Sequence, residues 1–338
     1  GDFENRMIDE DSELVVRLRA AGAVLIAKLA TGEFARGANW YRGQTRNAWN
    51  PEQSSSGSSA GPGSATAAGL VGFSIGTETR GSIVGPSRRG GLSALRPTFG
   101  RISRHGGMVL AWSMDKPGPM CRSSEDCAIV FNVIHGSDPK DPATLTAPFR
   151  FERQPDLSRM RIGYTEDAPE AFVQTLRELG ADPKPMAELP ANTSSGLGVE
   201  SSAAFDFHVA PGGVLESVPE PADDDARPPR FHGGRSALAL DFIQGQRRRH
   251  ILMEEMAKAM EGFDMFVTGS GETGLTNETG HPAAVLPYAF GDSNTEDEYD
   301  HEQPICTTII GDLFADDKIL SVAHAYQSVT NWHQRHPD

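Results

Sequence analysis

Cysteine, basic charge and long apolar runs are all scarce in this chain. Cys121, Cys127 and Cys306 are the only cysteines among 338 residues. They are odd in number and lack paired spacing, which argues against a disulfide framework or a cysteine-based metal site and fits a reducing, cytoplasmic compartment. Lys and Arg number 31 against 46 Asp and Glu, a formal net charge of -15. No window concentrates enough basic residues to offset it, so neither direct nucleic-acid binding nor attachment to an anionic membrane is expected. The short basic pieces, Arg88-Arg89 and Arg247 to Arg249, read as a solvated loop and a helix face. No stretch approaches the ~18 apolar residues of a spanning helix, and the acidic start from Gly1 to Asp11 lacks the pattern of a signal peptide. Glycine and proline are plentiful instead, 36 and 23 residues, which predicts many turns and irregular segments.

Apolar periodicity predicts an α/β chain. Residues 10–21 place Leu14, Val15, Leu18 and Ala21 on one helical face, and Gly22 ends the helix. The run AVLIAKLATGEF at 23–34 has the length and composition of a buried strand and carries Lys28. Residues 38–51 read as a surface loop, and 98–121 as Gly-rich irregular chain with a turn at Lys116-Pro117-Gly118-Pro119. Ser123 to Asp126 open an amphipathic helix whose apolar face is Ala128, Ile129, Phe131, Val133 and Ile134. A strand at 160–164, a helix AFVQTLRELG and an extended PKPMAELP follow. Residues 190–235 are poorly patterned and read as a loop or excursion. A helix over 236–260, the strand FDMFVTG, the strand ICTTIIG and a helix over 315–333 complete the pattern.

The stretch from Gln53 to Pro97 carries the chemistry. Ser54 to Ser64 could be low-complexity linker, but it leads into a small-residue helix, the strand-like LVGFSIG and a second Gly-rich turn, so it belongs to a packed unit. Neither Gly-rich turn is a P-loop or dinucleotide fingerprint, and Ser82 does not sit in G-x-S-x-G. A serine nucleophile needs a base, backbone N–H groups for the oxyanion and an open backbone. The turn Thr77 to Ser82 can offer such N–H groups, and Ser58 or Ser59 could relay a proton if the two turns meet. His324, His333 and His336 lack metal-ligand spacing and read as a solvated helix end. His105 and His281 lie in loops near glycine.

GSSAG from Gly57 to Gly61, GTETRGSI from Gly76 to Ile83 and LRPTFGR from Leu95 to Arg101 resemble the amidase signature family, with its GGSSGG, GTDTGGSIR and GLKPTYGR-like segments. AKLATGEFARG at 27–37, WSMDKPGPMCRSSEDCA at 112–128 and TGHPAAVLP at 279–287 extend the resemblance over most of the chain, most weakly at 190–235. It implies an α/β/α fold, a mixed central sheet flanked by helices in one large domain. It also implies a Ser-Ser-Lys triad without metal or organic cofactor, in which an acyl-enzyme forms on the nucleophilic serine. Ser82 matches the nucleophile and Ser58 the bridging serine in a cis peptide. Thr79, Arg80, Gly81 and Ser82 match the oxyanion-hole backbone.

Two departures accompany the match. Arg80 stands where the family usually has glycine, which could restrict or charge the substrate entrance. The family's catalytic lysine lies in a segment that would precede Gly1, and Lys28 matches a different lysine outside the triad. The expectation is therefore an amidase domain over 1–338 lacking its N-terminal segment, with little or no activity as given. Two other readings are the glutamine-hydrolysing component of a tRNA-dependent amidotransferase and a noncatalytic binding protein on the same fold. A small-molecule amide is the expected partner, and a homodimer is compatible with the sequence.

Overall fold

The computed structural model describes residues 5–192, 196–209, 234–292 and 302–337. Eight strands form one mixed sheet in the order β3-β5-β4-β9-β10-β8-β6-β7. They are β3 (Ser74–Glu78), β4 (Ser93–Arg96), β5 (Lys116–Cys121), β6 (Ile162–Tyr164), β7 (Lys184–Pro185), β8 (Met265–Thr268), β9 (Ala283–Asp292) and β10 (Glu302–Gly311). β6 is parallel to β7 and β8, and the other neighbours are antiparallel. A ribbon of β1 (Asn39–Trp40) and β2 (Gly43–Gln44) lies apart from the sheet.

Successive strand residues point to opposite faces, and both faces are dry. Leu95, Ala284, Leu286 and Ile309 join one apolar layer with Phe131 of α4 (Ser124–Ile134), Phe172 of α5 (Glu170–Glu178) and Ile319 of α10 (Asp316–Val329). Their neighbours Ala94, Ala283, Val285 and Ile310 join the other. That layer includes Val84 of α3 (Val84–Gly90), Leu252 and Met256 of α8 (Ala239–Ala259) and Leu275 of α9 (Thr273–Thr279). This is the single α/β domain with a helix-flanked mixed sheet that the sequence predicts. Local signals hold where they are strong. Ser123 caps α4 by accepting from Asp126 N, and Ser12 caps α1 (Glu13–Ala20). No described helix is long and apolar enough to cross a membrane.

Several expectations fail for nonlocal reasons. The run 23–34 forms no strand, and Val24, Leu25 and Ile26 are 82%, 66% and 66% exposed. Its backbone instead meets the first Gly-rich turn, with Gly61 N donating to Ala30 O and Gly32 N to Ser58 O. Residues 116–119 are not a turn but part of an interior strand fully buried between β3 and β4. Pro117 and Pro119 share one edge of β5, so their missing N–H groups fall on one side only, and β4 pairs just with Met120 and Cys121. Ile129, placed on the apolar face of α4 by its spacing, points outward and is exposed. Within 190–235, α6 (Leu197–Ala204) and α7 (Asp206–Val209) are helical where a loop is expected. Residues 193–195 and 210–233 lie outside the described residues.

The close approach of β5 to its neighbour β4 depends on Gly118, where a Cβ would lie 2.1 Å from the Leu95 carbonyl oxygen. Gly118→Ala is expected to destabilise the fold by about 2 kcal/mol or more, because backbone must move to admit the methyl group. Urea unfolding measures this, and a change below about 0.5 kcal/mol would contradict the packing argument.

Candidate active site

The two Gly-rich turns meet. Ser59 N donates to Ser82 O at 3.2 Å. The Ser59 hydroxyl is held on β3, accepting from Thr77 N and donating to Thr77 O, both at 3.0 Å. These two bonds commit Ser59 to structure and separate it from Ser58, whose hydroxyl is not held this way. Ser58 is 3% exposed, and the Gly57–Ser58 peptide bond is cis. Small residues permit the contact: α2 (Ala60–Ala67) follows directly as AGPGSATA and packs against α3.

Ser82 lies half-buried at the end of the turn joining β3 to α3. Gly81 before it has φ 100°, a backbone conformation that side-chain-bearing residues rarely adopt. The backbone N–H groups of Thr79, Arg80, Gly81 and Ser82 donate to no acceptor among the described residues. Four consecutive free donors beside a serine are the kind of group that can receive a developing oxyanion. Thr79 Oγ1 donates to Asp115 Oδ1 at 2.5 Å, securing the start of the turn. The Arg80 side chain is exposed and lies over α9, with Nη2 3.2 Å from where a Cβ on Gly274 would sit.

Glu78 fixes this turn, a role the sequence reading misses. Its Oε2 accepts from Ile83 N at 2.7 Å and Val84 N at 2.8 Å, satisfying the first donors of α3. Its Oε1 accepts from Arg96 Nη1 at 3.1 Å and Asn277 Nδ2 at 2.7 Å. Burial opposes the charge, but Arg96, Asn277 and the two N–H groups outweigh it and hold the carboxyl below its ordinary pKa. Arg96 is fully buried and also bonds Thr276 Oγ1 and His281 O. His281 is a core residue, 2% exposed and bonded to Thr279 Oγ1, not a wall of the cleft. His105 lies in another loop, 3.6 Å from Glu10.

Lysine is where sequence and structure diverge most. Lys28 is exposed on the surface segment and occupies no buried strand. Lys116, read as part of a turn, is 2% exposed and sits opposite Glu78 in the β3–β5 register. Its ammonium bonds the Met114 carbonyl and lies 6.0 Å from the centre of the Phe99 ring. Burial and then the charge of Arg96 push its pKa down to about 7, against the pull of Glu78 and Asp115. Neither Ser58 nor Ser82 is among its hydrogen-bond partners. No cluster of His, Cys, Asp or Glu suited to a metal ion occurs among the described residues.

Two predictions test this network. Glu78→Gln removes the charge facing Arg96 and is expected to cost about 3 kcal/mol or more of stability. An unfolding midpoint equal to the parent's would refute the role. For Lys116, the folded state releases its proton near pH 7 while the unfolded chain holds it to about 10.5. The unfolded state binds more protons between those values, so this group makes stability rise with pH across that window. Lys116→Met should remove about 1 kcal/mol or more of the parent's gain between roughly pH 7 and 9, read by denaturant unfolding. Parallel pH profiles in parent and variant would contradict the burial argument.

Comparison with known proteins agrees with the geometry. Residues 2–182 match the family model described as Amidase. The chain is 30% identical to the A component of glutamyl-tRNA(Gln) amidotransferase from Roseiflexus sp. (strain RS-1), in an alignment covering 99% of this chain and 80% of that protein. Among solved structures, native peptide amidase from Stenotrophomonas maltophilia superposes with a TM-score of 0.80 at 28% identity, over 95% of this chain and 77% of that one. The corresponding A component from Thermotoga maritima gives 0.77 at 25% identity, over 97% and 78%. The serine turns, the mixed sheet and these matches together place the chain in the amidase signature family, whose members hydrolyse amide C–N bonds.

Proposed function

We propose that the protein hydrolyses a carboxylic amide through an acyl-enzyme on Ser82. The observation that carries this reading is the run of four unbonded backbone N–H groups from Thr79 to Ser82, ending on the serine itself. Ser82 Oγ attacks the amide carbonyl carbon, and the carbonyl oxygen takes up negative charge against those donors. The Ser82 proton passes through the Ser58 hydroxyl to a base and then to the leaving nitrogen as the C–N bond breaks. Water attacks the resulting ester, releasing a carboxylic acid and restoring the serine. The resemblance assigns the base to a lysine, and the surface position of Lys28 supports leaving it out of that role.

A second reading is favoured by the relatives that belong to glutamyl-tRNA(Gln) amidotransferases. Here the amide would be glutamine, and the released ammonia would serve a partner that binds the tRNA. The chain's net charge of -15 supports assigning nucleic-acid contact to that partner.

Ser82→Ala should abolish both amide hydrolysis and labelling by a fluorophosphonate, with unfolding unchanged. Ser58→Ala should lower kcat about 100-fold or more and slow labelling without preventing folding. Undiminished labelling of the Ser82 variant would overturn the nucleophile assignment. Ammonia release from glutamine only in the presence of a copurifying partner would favour the second reading.

A further inference from the structure

The loop that carries Ser58 holds another serine in a conformation that a side chain makes costly. Ser56 has φ 62°, in the left-handed region where a Cβ crowds the backbone and glycine is the usual residue. Against the family segment GGSSGG, the match at Gly57-Ser58-Ser59 sets Ser56 on the first glycine. Its neighbours fix the backbone there. Ser56 N donates to Ser54 Oγ at 3.3 Å, Ser55 Oγ donates to Ser56 O at 3.1 Å, and Ser55 N donates to Thr45 O at 3.0 Å. Strain that the surroundings hold in place concentrates where a side chain is used.

That side chain faces the nucleophile turn. Ser56 lines a cavity of about 480 Å³ together with Gly81, Val84 and Gly85, with Arg88 and Arg89 further along α3. Its Oγ lies 3.1 Å from where a Cβ on Gly85 would sit, and glycine at 85 leaves it room. Gly85 N donates to Gly81 O at 2.7 Å, so the chain already turns as a helix from residue 81. Ser82 and Gly85 are then i and i+3 on that turn, with Cβ positions about 5–6 Å apart. The Ser56 hydroxyl therefore stands beside Ser82, at a separation that one substrate group fills. It is half-buried and has no hydrogen-bond partner among the described residues.

The reaction gives that hydroxyl a task. A primary amide carries N–H groups that need an acceptor once water is displaced, and the guanidinium groups of the cavity only donate. Ser270 Oγ is committed to Glu272 Oε1 at 2.8 Å, and Thr273 Oγ1 stands over Gly81, 3.6 Å from its Cβ position, beside the oxyanion donors. Ser56 instead shares the loop of Ser58, whose hydroxyl passes the proton toward the leaving nitrogen, so this loop borders the nitrogen. Resting on the acyl-enzyme reading, we infer that Ser56 binds the leaving nitrogen of the substrate. Its Oγ accepts one N–H of the scissile amide and turns the nitrogen lone pair toward the proton arriving through Ser58. No bond is made or broken at Ser56 itself. It is a specificity determinant that favours an amide over the ester of the same acyl group.

Butyramide and methyl butyrate share an acyl group, and only the amide has N–H groups, so they form the matched pair that tests this in the full chain. Ser56→Ala should lower kcat/KM for butyramide about tenfold and that for the ester by less than about twofold. Labelling of Ser82 by a fluorophosphonate should keep the parent's rate. Ser56→Gly should show the same loss on the amide while raising the urea midpoint, because glycine adopts the left-handed backbone without strain. A serine that only shaped the loop would not split amide from ester in this way. Binding is read without turnover by protection: the butyramide concentration that halves the labelling rate should rise about tenfold in Ser56→Ala, and that of methyl butyrate should not. If Ser56→Ala fails to fold, Ser56→Gly carries both comparisons. Equal losses on amide and ester, or an amide kcat/KM in Ser56→Gly equal to the parent's, overturns the inference and leaves the amidase reading intact. A parent that shows neither hydrolysis nor labelling at Ser82 overturns that reading and the inference with it.

Discussion

The Glu78 carboxylate is the point on which the site rests. One of its oxygens takes the first two free N–H groups of α3, and the other takes Arg96 and Asn277. A buried carboxylate is costly unless its lone pairs are filled, and here every filling group comes from an element that must be placed relative to the others. Because Ile83 and Val84 are turned inward to Glu78, the four N–H groups ahead of them are left over. The proposed oxyanion site is the remainder of a structural bond: the chain cannot both close onto Glu78 and satisfy residues 79–82 internally.

The sheet makes that arrangement rigid. β3 is an edge strand, but its end is covered by the first Gly-rich turn through Ser59, and its other side is paired with β5 over its whole length. Glycine allows β5 and its neighbour β4 to approach closely at Gly118, and the prolines of β5 are tolerated because their missing donors share one edge. A serine on such a turn is positioned by strand pairing on one side and helix capping on the other, which suits a nucleophile that must not move as charge develops. Around it, charge is distributed unevenly. Glu78, Arg96 and Lys116 are buried beneath the turn, whereas Arg80, Arg88 and Arg89 stand above or beside it without carboxylate partners among the described residues. The first group holds the fold in place, and the second presents its charge to whatever enters the cleft.

Much of the architecture was legible because it rests on local chemistry. α4 has its serine cap, its acidic first turn and its apolar face within a dozen residues, and α5 and β8 have similarly short-range signals. The candidate serines were legible through motif: two Gly-bounded turns whose residue order is specific even at low identity. Where the reading failed, the missing information was a neighbour. Ile129 fits the helical stripe as well as Phe131, and only the position of the sheet decides that one is exposed and the other buried. AVLIAK has strand composition but finds no strand to pair with, whereas KPGP has turn composition and is paired along its length with β3.

The sequence by itself determined the family and its serine turns, because those depend on which residue types follow one another: Ser58 after Gly57, Ser82 after Gly81. Tertiary structure alone decided which ionisable groups have perturbed environments. Lys28 sits in an apolar run and is at the surface, while Lys116 sits between Asp and Pro and is in the interior. Burial, counterions and the closing of a cavity arise from chain segments remote in sequence, as in the β3–β5 register that sets Lys116 opposite Glu78. For the same reason the arginines of α3, which read in sequence as a solvated basic pair, acquire a cavity wall only when β10 and the 269–274 turn pack beside them.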